Sequence, residues 1–289
     1  MTDRSGALGV GLIGAGRMGG AALRRLLELG ATAYVFDASD EASQKAEVLG
    51  ADVFGSPAEV RDAADVLLLS LPSDEALLSV SKVLFSSRGR AISVLDLSTV
   101  SVSVSTRVRS AAQSSGAEYL DCPVIGGTSN AGSWTILVGA AEVASDARRA
   151  LEALGRVELL GRFGDGLRLK LINNMLLAQQ TAGICEAIVL ARASGIDAAR
   201  MQVTLGAAGS VALGRLFLEV LPAALNGQTA NAFSTGLLLK DARSALGLAD
   251  TTGADLPVTR SALQELALLA STDEREDFTA LFARLAARE

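Results

Sequence analysis

The sequence predicts an α/β protein: a doubly wound parallel-sheet domain over residues 1–162, then an all-helical domain over residues 163–289 entered through one long helix. Three observations lead there. Short apolar runs of strand length alternate with helical patterns as far as residue 160. A glycine triplet follows the first of those runs. Beyond residue 162 every periodic stretch has helical spacing. A length of 289 residues also exceeds the usual size of one domain.

Composition removes several function classes. Hydrophobic residues make up 49% of the chain and aromatics 4%, so the core is built from small side chains. With 26 basic against 32 acidic residues and no basic run, the charge of −6 argues against a nucleic-acid surface. The lack of His takes away the commonest general base and the commonest metal ligand. Cys122 and Cys185 lie in apolar stretches without metal-type spacing, so reduced thiols and no metal are expected. The first residues lack the charged-then-apolar form of a signal peptide, and the expected location is cytoplasmic.

The first apolar run, 8–13, ends in Gly14-Ala15-Gly16-Arg17-Met18-Gly19 and passes into a helical pattern at 21–29. A G-x-G-x-x-G turn between strand and helix marks a Rossmann-type dinucleotide site. Gly14 permits the tight turn, Gly16 lets a pyrophosphate approach the backbone, and Gly19 lets the helix pack on the strand, while the helix start turns its free N–H groups toward the phosphates. A second strand, 32–36, ends at Asp37, where such folds place the acid that binds the adenosine ribose. A carboxylate there repels a 2′-phosphate, and Ala38 and Ser39 bring no Arg to bind one, so NAD is favoured over NADP. The plainer alternative is that Asp37 only ends a strand.

The alternation continues with a helix at 41–50, a strand at 52–54, a helix from Pro57 and a strand at 66–71 closed by Leu71-Pro72-Ser73. A helix at 76–85, a strand at 91–97, Ser98-Thr99 and a helix at 102–115 follow. Ligands bind at the strand ends on one edge of an open parallel sheet, which makes Leu71, Pro72, Ser98 and Thr99 candidates for the nicotinamide pocket. A hydroxyl-rich helix cap accounts for Ser98 equally well. Residues 118–123 lead into Val124-Ile125-Gly126-Gly127-Thr128, whose paired glycines leave bare N–H groups able to hold an anion such as a carboxylate. A strand at 134–138, a helix at 147–154 and a last strand at Leu159-Leu160 complete the first domain. Gly161, Gly164 and Gly166 then break the pattern. Helices are expected at 197–205, 212–225, 233–250, 258–269 and 278–287.

The long helix, 165–193, carries Lys170 and Asn174 four residues apart, so one ammonium and one amide share a face. Its other positions are mostly apolar, as in a helix buried in the middle of a protein, and a dimer contact would supply cover on every side. Lys170, Gln179, Gln180, Glu186 and Arg192 interrupt it too often for a membrane span. Burial would lower the pKa of Lys170 toward neutrality and fit it to carry a proton. The bland alternative has Lys170 snorkelling to solvent and Asn174 satisfying a neighbouring carbonyl.

With these motifs in hand, the chain resembles the β-hydroxyacid dehydrogenase family, the group of 3-hydroxyisobutyrate dehydrogenase and tartronate semialdehyde reductase, over essentially its whole length. The resemblance rests on residues 11–19, on Asp96-Leu97-Ser98-Thr99 against D-x-S-T, on residues 121–127 against D-A-P-V-S-G-G, on Lys170-Leu171-Ile172-Asn173-Asn174 against K-x-x-N-N, and on Phe233 with Lys240-Asp241 against F-x6-K-D. It implies that Lys170 carries the proton, that Asn174 orients Lys170 and the substrate, and that Ser98, Gly126 and Gly127 hold a substrate carboxylate. It implies that Phe233 and Lys240 close over the cofactor end. The implied reaction moves a hydride between NAD and a small 3-hydroxy acid, its semialdehyde or a related alcohol. Where the family has Ser in the glycine loop this chain has Ile125. One hydrogen bond to a charged group is lost, on the order of 1.5 to 3 kcal/mol, so an atypical substrate is expected.

Two other readings share the fold. An imine reductase usually lacks the Lys, which Lys170 with Asn174 counts against, while Ile125 counts mildly for it. A dinucleotide-binding module without catalysis would need neither Lys170 nor Asn174.

Overall fold

The strand Gly9–Ile13 (β1) is buried at every position, as a strand covered on both faces must be. Within it Gly11 has no room for a side chain: a Cβ would press on Leu67, Ala64 and Val60 at 2.7 to 2.9 Å. Thr32–Phe36 (β2), Asp52–Val53 (β3), Val66–Leu69 (β4), Ser93–Asp96 (β5) and Glu118–Asp121 (β6) join it in a six-stranded sheet of order β3-β2-β1-β4-β5-β6. All five pairings are parallel. The computed structural model describes residues 7–208, 214–228, 233–270 and 275–287.

The crossovers are Arg17–Glu28 (α1), Asp40–Val48 (α2), Pro57–Ala63 (α3), Asp74–Leu84 (α4) and Val102–Ser114 (α5). Serines start four of them: Ser39, Ser56, Ser73 and Ser101 each accept an N–H of the first turn through the side chain. Strand alternation sorts the core into two layers. Leu12, Val35, Leu68 and Leu95 pack with α1 residues such as Leu23 and Leu26. Ile13, Leu67, Leu69 and Val94 pack with Leu77, Val104 and Val108 on the other face.

A second, three-stranded sheet was not expected. Val124–Ile125 (β7), Trp134–Val138 (β8) and Gly155–Leu159 (β9) lie in the order β7-β8-β9, the first pair antiparallel and the second parallel, with Ser145–Leu154 (α6) as the crossover. The glycine loop is thus partly a strand. The last strand begins at Gly155 rather than at Leu159, because it is an edge strand: Arg156 and Glu158 alternate with Val157 and pair with each other.

The chain divides into two compact units, Met1–Lys170 and Leu171–Glu289. Asp165–Ala193 (α7) runs through the division as one helix. The second unit continues with Ala198–Ala207 (α8), a π turn Leu216–Val220, Leu221–Leu225 (α9), Thr235–Thr252 (α10), Pro257–Leu269 (α11) and Ala280–Ala287 (α12). Ile188, Leu221, Leu238, Leu266 and Phe282 form its core. The helix expected at 212–225 begins with two residues outside the described ones, as do the first six residues of the chain. Its remainder widens into the π turn because Pro222 has no N–H to give Leu218.

The expectation that α7 is covered all round fails for the single chain. Leu169, Ile172, Leu176, Val189 and Leu190 are exposed at 41 to 69%. Lys170 itself is half-buried, not enclosed. Sequence alone reports which faces are apolar but not whether neighbours exist for each.

Candidate active site

The glycine turn separates two roles physically. A Cβ at Gly14, where φ is +91°, would collide with the Ser70 carbonyl, and one at Gly19 with the Gly14 carbonyl. Both are glycine because the backbone packs on itself there. Gly16 faces open space, with nothing within 4 Å of a Cβ. It caps α1 without a side-chain bond, and no acidic residue occupies the first turn, so the N–H groups of Arg17, Met18 and their neighbours suit an anion. Asp37 stands beside this turn: its carboxylate accepts from Ala15 N–H at 2.6 Å and from Ser39 N–H at 2.8 Å.

The carboxyl ends of β4 and β5 are tied together by Ser98. Its Oγ accepts from the Leu71 N–H at 2.8 Å, and its own N–H donates to Asp96 at 2.9 Å. Ser98 is 5% exposed and caps no helix; Ser101 starts α5 instead. Pro72 and Thr99 follow the two strands, Pro72 exposed and Thr99 half-buried. Asp96 is buried and also accepts from the Tyr119 hydroxyl. Burial pushes its pKa up to about 6, against the pull of hydrogen bonds from Ser98 and Tyr119. Burial likewise pushes the Tyr119 hydroxyl well up, with the neighbouring Asp96 charge adding to it.

Ile125 sits in β7 opposite Thr135, half-buried. Gly126 adopts φ +150°, and a Cβ there would strike the Trp134 ring. Gly127 leads into a short 3₁₀ turn at Thr128–Asn130, and its carbonyl accepts from the Trp134 indole at 2.8 Å.

Asp121, next to Asp96 across the β5–β6 register, reaches the start of α7. Its carboxylate accepts from Gly164 N–H at 2.8 Å and Leu167 N–H at 3.0 Å, capping from another strand the helix that carries Lys170. Gly139 and Gly166 have no room for a Cβ beside this carboxylate. Burial raises its pKa, and the two amide bonds work the other way.

In the second unit Asn174 is 2% exposed and its carboxamide is committed on both sides. Nδ2 donates to Asp241 at 2.5 Å, and Oδ1 accepts from Asn173 at 2.9 Å. Asp241, 1% exposed, pairs through its other oxygen with Lys240 Nζ at 3.1 Å. Phe233 donates its N–H to Asp277 at 3.2 Å and sets its ring edge-on to Phe278, centroids 6.5 Å apart. Sequence reasoning passed over Asp241, Asp121 and Tyr119 as separate actors. The first two stood inside quoted motifs; Tyr119 carried no signal beyond strand periodicity.

Comparison with known proteins decides the family. The family model described as the NAD binding domain of 6-phosphogluconate dehydrogenase matches residues 9–163, and the one described as NAD-binding of NADP-dependent 3-hydroxyisobutyrate dehydrogenase matches 164–285. A protein of Mycobacterium tuberculosis described as a probable 3-hydroxyisobutyrate dehydrogenase is 32% identical over 291 residues, covering 96% of this chain and 98% of that one. The chain belongs to the β-hydroxyacid dehydrogenase family.

As a β-hydroxyacid dehydrogenase it is an oxidoreductase of CH–OH groups that works with NAD or NADP. The solved M. tuberculosis 3-hydroxyisobutyrate dehydrogenase with L-serine is 29% identical, with a TM-score of 0.84, covering 98% of this chain and 100% of that one. Psf3 in complex with NADP+ and 2-OPP is 26% identical, with a TM-score of 0.79 and coverage of 96% and 100%. Within the family frame the glycine turn fits a dinucleotide: Gly16 leaves its approach open, and α1 starts without a side-chain cap. Among the described residues no helix is long and apolar enough to cross a membrane.

Proposed function

We propose that this enzyme uses NAD to oxidise a small 3-hydroxy acid or a related small alcohol, or NADH to reduce the matching semialdehyde, with Lys170 exchanging the proton. The observation that carries the reading is the placement of Lys170 and Asn174 one turn apart on the uninterrupted helix α7. Residues 1–162 serve as the cofactor domain and 163–289 as the substrate and dimerisation domain. Gly14, Ala15, Gly16, Arg17, Met18 and Gly19 hold the pyrophosphate, and Asp37 the adenosine ribose. Leu71, Pro72 and Thr99 line the nicotinamide, with Phe233 and Lys240 closing over it. The cofactor supplies the hydride acceptor when bound. The Lys170 amine takes the substrate hydroxyl proton as the C–H bond is given up; in reverse its ammonium protonates the nascent alkoxide. Asn174 orients both, its own carboxamide steadied by Asp241 and Asn173. Ser98, Gly126 and Gly127 hold the carboxylate, with the hydrocarbon of Ile125 beside it favouring a substrate branched or apolar on that side.

The test is NADH formation with a panel of short 3-hydroxy acids and NADH consumption with semialdehydes, followed by Lys170→Ala. We expect that variant to bind NADH as before and to lose turnover by about 10²- to 10⁴-fold, the usual worth of a general base. Unchanged turnover would remove the mechanism. The apolar stripe Leu169, Ile172 and Leu176 supports a homodimer or higher homo-oligomer through α7; a monomeric mass by light scattering would refute it.

A further inference from the structure

The chain has a single Trp, and it lies directly beneath the glycine loop. Trp134 is 0% exposed, its ring edge abuts Gly126, and its Nε1–H donates to the Gly127 carbonyl at 2.8 Å. Filling the core at this point requires only a large apolar side chain. The hydrogen bond requires more, since neither Leu nor Phe has a donor. A trans peptide points its carbonyl and its N–H in opposite directions, and the described chain contains no cis bond. With the Gly127 carbonyl drawn onto the indole, the Thr128 N–H of the same peptide is turned away from the core. Ile125, two residues earlier, brings no hydrogen-bonding side-chain atom to the loop.

We propose that Trp134 is a positioning residue for substrate specificity: its indole N–H sets the Gly127–Thr128 peptide so that the Thr128 N–H donates to the substrate carboxylate, a contact that no side chain at Ile125 can make. The inference rests on the hydroxy-acid reading above. It assigns to one buried ring the selectivity of the loop for an anion over a neutral group.

Because Trp134 is the only Trp, growth of a Trp auxotroph on β-(3-benzothienyl)alanine replaces the indole N–H by sulfur at this position alone and preserves the ring shape. Wild type is assayed first with the best short 3-hydroxy acid of the panel and with its methyl ester. The acid should be the better substrate; if the two are equal, the carboxylate reading falls and this inference with it. In the sulfur-substituted enzyme we expect KM for the acid to rise about tenfold, as for a lost hydrogen bond to a charged group, with kcat, the KM for NAD and the KM for the ester unchanged. Trp134→Phe should show the same split. An unchanged KM for the acid overturns the proposal. So does an equal rise for acid and ester, which would report a loosened core.

Discussion

Asp121, at the carboxyl end of β6, accepts the N–H of Leu167 at 3.0 Å and so fixes the first turn of the helix on which Lys170 stands one turn later. A second bond from Gly164 at 2.8 Å completes the hold. The proton carrier of the proposed reaction is thereby referenced to the cofactor sheet through one carboxylate. Asp121→Ala would leave two buried N–H groups without acceptors, at roughly 2 to 4 kcal/mol. We expect lower stability in urea and a fall in kcat, with Asp121→Asn intermediate because it keeps one acceptor oxygen. Equal kcat in Asp121→Ala would show that α7 needs no such hold.

The glycines of the turn should separate by phenotype. Gly19→Ala drives a Cβ into the Gly14 carbonyl and should unfold the first unit. Gly16→Ala meets nothing within 4 Å, so its stability should stay within about 0.5 kcal/mol of wild type. Its affinity for NADH, read by fluorescence titration, should nevertheless drop about tenfold or more as the methyl occupies the pyrophosphate approach.

Asp37 should govern the choice of dinucleotide. Its carboxylate already faces the turn through Ala15 N–H. Wild type should prefer NAD in kcat/KM, and Asp37→Ala should narrow or erase that preference by removing the repulsion of a 2′-phosphate. A wild-type preference for NADP would show the ribose argument to be wrong.

Asp96 makes stability depend on pH with a definite sign. Its folded pKa of about 6 stands above the ordinary value of 3.8, so the folded state holds the proton more tightly. The group therefore favours the fold most at pH values below 3.8, and that contribution is lost as pH rises through about 6. The full change is on the order of 3 kcal/mol. Urea unfolding of wild type and Asp96→Asn across this range should show the downward slope flattened in the variant. Tyr119→Phe removes a bond that lowers the Asp96 pKa and should move the slope to higher pH.

Asp241 holds the Asn174 carboxamide and the Lys240 ammonium at once. Asp241→Ala strands a buried amide donor and should cost about 2 to 4 kcal/mol. Turnover should fall in the same variant while NADH binding to the first unit persists.

The parallel sheet was legible because buried strands and their crossovers differ in period, and Gly14, Gly16 and Gly19 punctuate the first of them. The K-x-x-N-N pair was legible because helical spacing fixes which side chains share a face. What sequence did not yield depends on contacts far apart along the chain. The bond from Asp121 to Leu167 spans 46 positions and that from Asn174 to Asp241 spans 67, so no local pattern announces either. The strand at Gly155 was missed because its alternating Arg156 and Glu158 lie at an edge, where a search for continuous apolar runs finds nothing. The exposure of Leu169, Ile172 and Leu176 was missed because an apolar face predicts a demand for cover, not its supply.

Of the first five crossover helices, one starts differently from the rest. Ser39, Ser56, Ser73 and Ser101 each plug a helix mouth with a hydroxyl, whereas α1 opens on Gly16 with no side chain to stopper it. Four of the five helix starts thus have an N–H satisfied from within, and on the proposed reading a diphosphate binds at the one that does not. On that reading the address of the coenzyme is written as much by what the serines shut as by what the glycine leaves ajar.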